Sequence, residues 1–344
     1  MIKELAKTIV SDLARIQKDQ IVNILAYIYN TPEHEDPLLE LPLVEELALA
    51  IKEKNAFSIL DLFSLNIKKQ YTEENKRWIY PTSYFLDKIE PSSAFIEVSW
   101  ESVSDLFNSF DRGYSYGRFL KSYWNEIYRK NKKLIFLNYP SHALANLIDI
   151  DYDTLLDSYL HAANCDYNYL KSKGQTLDEN LYSYSYFQIE SENDNLKLKA
   201  KKNKKPELYT GNLDTHKISI IPAGIIVLPL DRSRLNGTFV AHYAYYQNVM
   251  LRNVKVNFKD GHIRFVTFQQ ENEDNFMFQN ALMNSGEECY LSYGFNEAYC
   301  EPNGYYLYDQ CIDGMVALKF IDNSNRPVML SSIDALLKKD QTMK

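Results

Sequence analysis

The sequence predicts an α/β N-terminal domain with a parallel sheet of βαβ units, followed by a mainly β (α+β) C-terminal domain. Three observations point there. Helical and strand periodicities alternate over the first third of the chain, the pattern that builds parallel sheets with helices on both faces. After about residue 172 helical pattern becomes scarce and short alternating segments take over. The length of 344 residues fits two domains of roughly 100 to 200 residues each. We therefore expect domains over 1–175 and 176–344.

The elements follow in order. Ile2, Leu5, Ile9, Leu13 and Ile16 recur at helical spacing, and the run from Ile21 to Tyr29 has the length and β-branched content of a buried strand. Pro42 stands just ahead of a second helix marked by Val44, Leu47, Ala48 and Ile51, which leads into the apolar segment Phe57 to Phe63. Phe95 to Ser99 and Leu134 to Leu137 are two further strands, with a long aromatic helical stretch, Ser104 to Tyr128, between them. Asp151 and Asp153 form an Asp-x-Asp, but they sit where the helix carrying Leu155, Leu156, Tyr159 and Ala163 begins. That position favours N-capping over metal or acid/base work.

The second domain opens on an alternating segment, Leu181 to Glu190, with Tyr182, Tyr184 and Tyr186 on one face. Strand signals follow at Ile218 to Leu228, Thr238 to Tyr246, Val254 to Phe258 and Ile263 to Phe268, and one helix at Asn275 to Asn284. Six lysines fall between positions 197 and 205, but Leu196 and Leu198 alternate with them and Pro206 ends the run, so a solvated hairpin is expected there.

Composition excludes several classes. With 46 acidic against 38 basic residues, the net charge of −8 argues against a dedicated nucleic-acid binder, whose affinity comes from Lys and Arg neutralising phosphates. No apolar run approaches the length of a membrane span, and the amphipathic start Met-Ile-Lys-Glu-Leu lacks the features of a signal peptide. A cytoplasmic protein is expected. Cys165, Cys289, Cys300 and Cys311 form no close pair of the kind metal sites use and read as free thiols. The histidines at 34, 142, 161, 216, 242 and 262 never pair at metal-ligand spacing. No Gly-x-Gly-x-x-Gly, P-loop, Gly-x-Ser-x-Gly or His-Glu-x-x-His occurs, which removes the common dinucleotide, nucleotide-triphosphatase, serine-esterase and zinc-protease readings.

Three glycine-punctuated phrases stand out in the second domain. The first is Ile221-Pro222-Ala223-Gly224-Ile225, continuing to Leu235-Asn236-Gly237-Thr238. The second is Tyr290-Leu291-Ser292-Tyr293-Gly294-Phe295-Asn296, and the third runs from Asp309-Gln310-Cys311 through Gly314 to Ala317. In this order and spacing they resemble the thermophilic-type metallo-aminopeptidases, the aminopeptidase T and aminopeptidase S family. Asn138-Tyr139-Pro140-Ser141-His142-Ala143-Leu144-Ala145, the helix ending Ala163-Asn164-Cys165-Asp166, and Pro42 to Leu60 resemble it too, so the likeness covers most of the chain.

The departures carry the functional expectation. The resemblance implies a two-metal centre held by a Glu in each of the first two phrases, a His in the third and a His-x-Asp near the C-terminus. Those positions here are Ile225, Tyr290 and Ala317, and the C-terminal segment from Asn323 to Met329 has no histidine. Ile and Ala offer no lone pair, and a phenol is an uncommon ligand for the divalent metals of hydrolases. We expect no metal and no other cofactor. Pro222, Gly224, Asn236, Gly237, Gly294, Asn296, Asp309 and Gly314 keep the scaffolding of the phrases, so the expected function is metal-free binding of a peptide or peptide-like ligand by a catalytically degenerate aminopeptidase-like protein, with maturation of a peptide natural product as the setting. The candidate cleft comprises Ile225, Tyr290, Asp309, Ala317 and Arg326, with Arg232 and Arg234 as further carboxylate partners and Tyr305, Tyr306 and Tyr308 as aromatic surface. A homodimer is implied by the resemblance alone. Two rivals remain: a metal-independent cyclase or isomerase using Asp309, His242 or Tyr290 as acid or base, and a metal enzyme of dioxygenase or aminopeptidase type with relocated ligands.

Overall fold

Elements form where period and capping agree. A computed structural model describes residues 1–28, 42–64, 82–99, 123–183, 185–191, 194–201, 204–214, 217–247, 249–269, 273–299, 301–324 and 326–340. His34, His216, Tyr184, Cys300, Asn325 and the stretch 104–122 of the expected aromatic helix lie outside them; residues 123–128 of that stretch are helical. Helix Ile2–Thr8 continues as a π-helical turn, Ile9–Leu13, and strand β1 is Ile21–Ile28. Helix Pro42–Glu53 starts on its proline, whose missing N–H costs nothing in a first turn, and buries Leu43, Val44, Leu47, Ala50 and Ile51 at helical spacing. Strands β2 (Phe57–Ser64), β3 (Ser92–Ser99) and β4 (Lys133–Asn138) follow, with helix Thr82–Ile89 between β2 and β3.

Three capped helices come next. The Ser141 hydroxyl accepts from the Leu144 N–H at 3.0 Å at the head of His142–Leu147, and Asp151 accepts from the Thr154 N–H at 3.0 Å at the head of Tyr152–Ala163. Asp151 is thus the N-cap that its position implied. Asp166 accepts from the Asn168 and Tyr169 N–H groups and caps Tyr167–Tyr182. This helix runs through 172–180, where the sequence placed the change of domain, because Leu170, Leu177 and Leu181 sustain a helical repeat that overrides the tyrosine alternation. The alternating segment consequently begins as a strand only at β5 (Tyr186–Ser191), not at Leu181.

The remaining strands are β6 (Asp194–Lys199), β7 (Glu207–Tyr209), β8 (Ile218–Ile221), β9 (Ile225–Pro229), β10 (Asn236–Tyr246), β11 (Val249–Lys259), β12 (His262–Thr267), β13 (Cys289–Gly294), β14 (Val316–Ile321), β15 (Pro327–Ser332) and β16 (Leu336–Lys339). Helix Glu273–Met283 and the short helix Tyr306–Asp309 interrupt the series. In the lysine-rich hairpin of β5 and β6, Leu196 and Leu198 are buried at 0% and 1% exposure. Cys165, Cys289 and Cys311 are free thiols.

Two compact units result: Met1–Cys165 with Gly211–Ala223, and Asp166–Thr210 with Gly224–Lys344. The first holds a five-stranded parallel sheet in the order β2-β1-β3-β4-β8. Its last strand corrects two expectations. Ile218 to Leu228 is not one strand, and residues 211–223 do not belong with the second domain. Pro222 has no N–H to continue a ladder and Gly224 turns the chain at φ +113°, so Ile218–Ile221 pairs in parallel with β4 while β9 joins the other sheet. Arg15 holds the returning segment through a two-pronged contact with Asp214, at 2.7 and 3.2 Å. The second unit is an 11-stranded sheet with the central order β16-β5-β6-β10-β15-β14-β13-β9-β7, from which β11 and β12 extend beside β10. No helix among the described residues is long and apolar enough to cross a membrane.

Candidate functional site on one sheet face

Strand alternation and pairing decide which of the candidate residues share a surface. Side chains two apart along a strand, and those directly opposite on neighbouring strands, point the same way. Ile225 stands opposite Gly294, Val227 opposite Ser292 and Pro229 opposite Tyr290. On the other flank of β13, Ser292 faces Ala317 and Tyr290 faces Lys319. Ser331 and Met329 of β15, then Tyr243 and Tyr245 of β10, extend the same two rows. Ile225, Tyr290 and Ala317 therefore occupy one face of three adjacent strands, with Ser292 in their midst. Ile225 and Tyr290 are four residues out of register, about 13 Å along the strand, so they share the face without touching.

Each position has its own environment. Ile225 is 8% exposed. Ala317 is fully buried, packed with Tyr245 and Met329 beneath Tyr243, Met250 and Tyr306, so it is core and not the floor of an open slot. Tyr290 is half-buried, its hydroxyl 3.4 Å from a Glu288 carboxylate oxygen; desolvation, then that carboxylate, raises its pKa. Asp309 is buried and accepts from the Tyr245 and Tyr299 hydroxyls and from the N–H groups of Asn303 and Gly304. Burial outweighs these donors and pushes its pKa up to about 6.

The arginines lie elsewhere. Arg326 sits in the turn between β14 and β15, its N–H donating to Asp322 at 2.7 Å. The Arg232 guanidinium is engaged with the carbonyl oxygens of Ser285, Gly286 and Gly261 and with the Ser285 hydroxyl, just beyond the end of helix Glu273–Met283. Arg234 is exposed. His242 stands one residue out of phase with Tyr243, on the opposite face, its ring between the Ser332 hydroxyl at 3.0 Å and Asp334 at 2.9 Å. Ser332 is 0% exposed, which leaves that hydroxyl no access to a substrate.

Two residues the sequence reading passed over belong to the face. Ser292 is buried at 5% exposure and its hydroxyl has no hydrogen-bond partner in the structure. Lys319 is half-buried, and desolvation lowers its pKa against the opposing pull of Glu207 and Glu288. Among the described residues no carboxylate reaches Lys319 as an ion pair. Period-two counting from Ala317 and from Tyr290 would have put both on the face.

Ile225, Ala317 and Asp309 offer little to a metal. Ile225 and Ala317 have no donor atom, and the Asp309 oxygens already accept from four groups. Among the described residues, no group of three His, Cys, Asp or Glu side chains is placed to hold an ion.

No protein-family model matches the chain, and no curated protein matches its sequence. Among solved structures, wild-type AmpT from Thermus thermophilus superposes with a TM-score of 0.68, covering 98% of this chain and 94% of that chain at 10% sequence identity. Identity at that level establishes likeness of fold alone: a parallel-sheet α/β portion and a large antiparallel β portion, as in an aminopeptidase T-type protein.

Proposed function

We propose that the protein is a metal-independent, aminopeptidase-like binder of peptides that works on the face of β9, β13 and β14. One observation carries this reading: half-buried Tyr290 and Lys319 stand directly opposite each other on neighbouring strands of this face. A peptide laid along this edge of the face would meet the phenol and the ammonium as polar partners. Tyr290 offers ring area and a phenol for contact. The setting is cytoplasmic maturation of a peptide natural product, where a scaffold that holds without cutting presents a precursor to other enzymes. The protein acts as a homodimer, as the resemblance implies; sedimentation at micromolar concentration giving only the 40.2 kDa monomer would count against that part.

The test is selection from a random peptide library on the wild-type protein and on Tyr290→Ala, followed by calorimetry of the selected sequences. Enrichment on the wild type that Tyr290→Ala weakens is expected. Absence of enrichment on the wild type would sink the reading.

Lys319 favours a second reading, a metal-independent cyclase or isomerase acting on a peptide at the same place. Burial lowers its pKa, which makes the amine available as a base nearer neutral pH. Chromatographic conversion of a selected peptide, lost in Lys319→Met, distinguishes this from binding alone.

A further inference from the structure

We propose that the outer edge of β16, with the groove between that strand and helix Tyr167–Tyr182, docks an extended peptide segment in which an apolar and an acidic residue stand two positions apart. This surface is separate from the face of β9, β13 and β14. Tyr293, which lines the groove, points to the opposite side of β13 from Tyr290 and Ser292 by strand alternation.

β16 pairs with β5 on one side, and among the described residues no strand lies along the other. The Asp340 N–H donates to the Tyr186 carbonyl at 3.1 Å. In an antiparallel ladder such inward bonds recur at every second residue, so Leu336 and Lys338 also turn their N–H and C=O groups to β5. Those of Leu337 and Lys339 point away from the sheet. An edge of this kind is a template for one more strand.

A cavity of about 460 Å³ opens beside this edge, walled by Leu177 and Leu181 of the helix and by Phe187, Tyr293 and Leu337 of the sheet. Its size falls within the roughly 300 to 1,000 Å³ of ligand pockets. Register sets Leu337 beside Ile189 and Lys339 beside Phe187, so Leu337 and Lys339 share the face that looks onto the groove. Lys338 turns to the other face, where it pairs with Glu190.

An added strand must follow this alternation. A residue opposite Leu337 sends its side chain into the groove, and one two positions away meets Lys339. Among the described residues no Asp or Glu lines the groove, whereas Lys339 does, so a carboxylate suits that second position. The same charge disfavours a second copy of this chain as the occupant. Antiparallel pairing of β16 with itself would crowd Lys338 and Lys339 of both copies into one short seam.

The experiment selects a phage-displayed library of random decapeptides on the wild-type protein and measures the enriched peptides by calorimetry on wild type, Lys339→Glu and Leu337→Pro. Proline at 337 removes an outward N–H that β5 does not use, as edge strands tolerate. Enriched sequences should carry an aliphatic or aromatic residue and an Asp or Glu two positions apart. Lys339→Glu and Leu337→Pro should each weaken binding roughly tenfold or more. Residue-resolved hydrogen exchange on the wild type should show the Leu337 and Lys339 amides slowed by added peptide. Should Leu337→Pro fail to fold, Lys339→Glu and the exchange measurement decide. Enrichment without that spacing, affinity unchanged in Lys339→Glu, or exchange unchanged at both amides overturns the proposal. Peptides that bind Lys339→Glu as tightly as wild type but lose affinity for Tyr290→Ala also overturn it, and support the face of β9, β13 and β14 instead. A concentration-dependent dimer dissolved by Leu337→Pro would put a second copy on the edge and overturn it too.

Discussion

The Tyr245 hydroxyl donates to the Asp309 carboxylate at 3.0 Å, joining residues 64 apart. Tyr245 is the outer member of the row that contains Tyr290 and Lys319, and Asp309 closes the short helix Tyr306–Asp309. The same carboxylate accepts from Tyr299 and from the Asn303 and Gly304 N–H groups. It thereby fixes the loop ahead of the helix against β10. The sequence read Asp309 as a flank of the cleft; its four donors make it an organising group for the segment beside Ala317.

That organisation is predicted to weaken with rising pH. The folded pKa of Asp309, about 6, lies above the 3.8 of an ordinary aspartate, so between those values the folded state binds more protons than the unfolded one. Stability from this group is present below about pH 4 and is lost as pH rises through 6, by about 3 kcal/mol. Asp309→Asn should therefore cost less at pH 7 than at pH 4, as measured by urea unfolding. A cost that grows with pH would show that the fold favours the ionised form.

Gly294→Ala should destabilise the second unit by at least about 3 kcal/mol. An added Cβ would stand 2.1 Å from the Ile312 carbonyl oxygen and 2.6 Å from that of Gln310, both backbone atoms that a rotamer change cannot move. Gly314→Ala is the control: its φ is +82° but nothing lies within 4 Å, so only the left-handed penalty of about 1 to 2 kcal/mol applies. Comparable urea midpoints for the two variants would contradict the close approach at Gly294.

Tyr290→Ala should weaken a selected peptide by about 1 to 3 kcal/mol, the effect of removing an aromatic anchor, with the fold intact by circular dichroism. Ala317→Trp should act on the fold itself. Its site is fully buried among Tyr245, Met329 and Tyr306, so the larger ring should cost at least about 1 to 3 kcal/mol of stability, read from thermal unfolding. A Tyr290→Ala variant with unchanged affinity would place binding elsewhere on the surface.

The purified protein should carry no stoichiometric zinc, manganese or cobalt and should not hydrolyse aminoacyl-anilides. The expectation rests on Ile225, Tyr290 and Ala317, which stand where the resemblance implies metal ligands. Elemental analysis finding about one metal or more per chain, lost together with peptidase activity on chelation, would refute it.

By itself the sequence determined what depends on neighbours a few residues away. Period-two and helical repeats located most strands and the helices at Pro42 and Glu273; Asp151 was legible as a cap because capping is local. The identities of Ile225, Tyr290 and Ala317 raise the expectation of no metal, which elemental analysis tests. Only the tertiary structure decided the rest. Ile218–Ile221 joined the parallel sheet through its register with β4, although the apolar run that contains it looks continuous with β9. Ser292 came to stand diagonal to Lys319, and Ala317 disappeared into the core. The physical reason is that alternation along one strand shows which side chains share a face, whereas the strand alongside, its register and what covers the face are set by pairings between residues far apart in sequence.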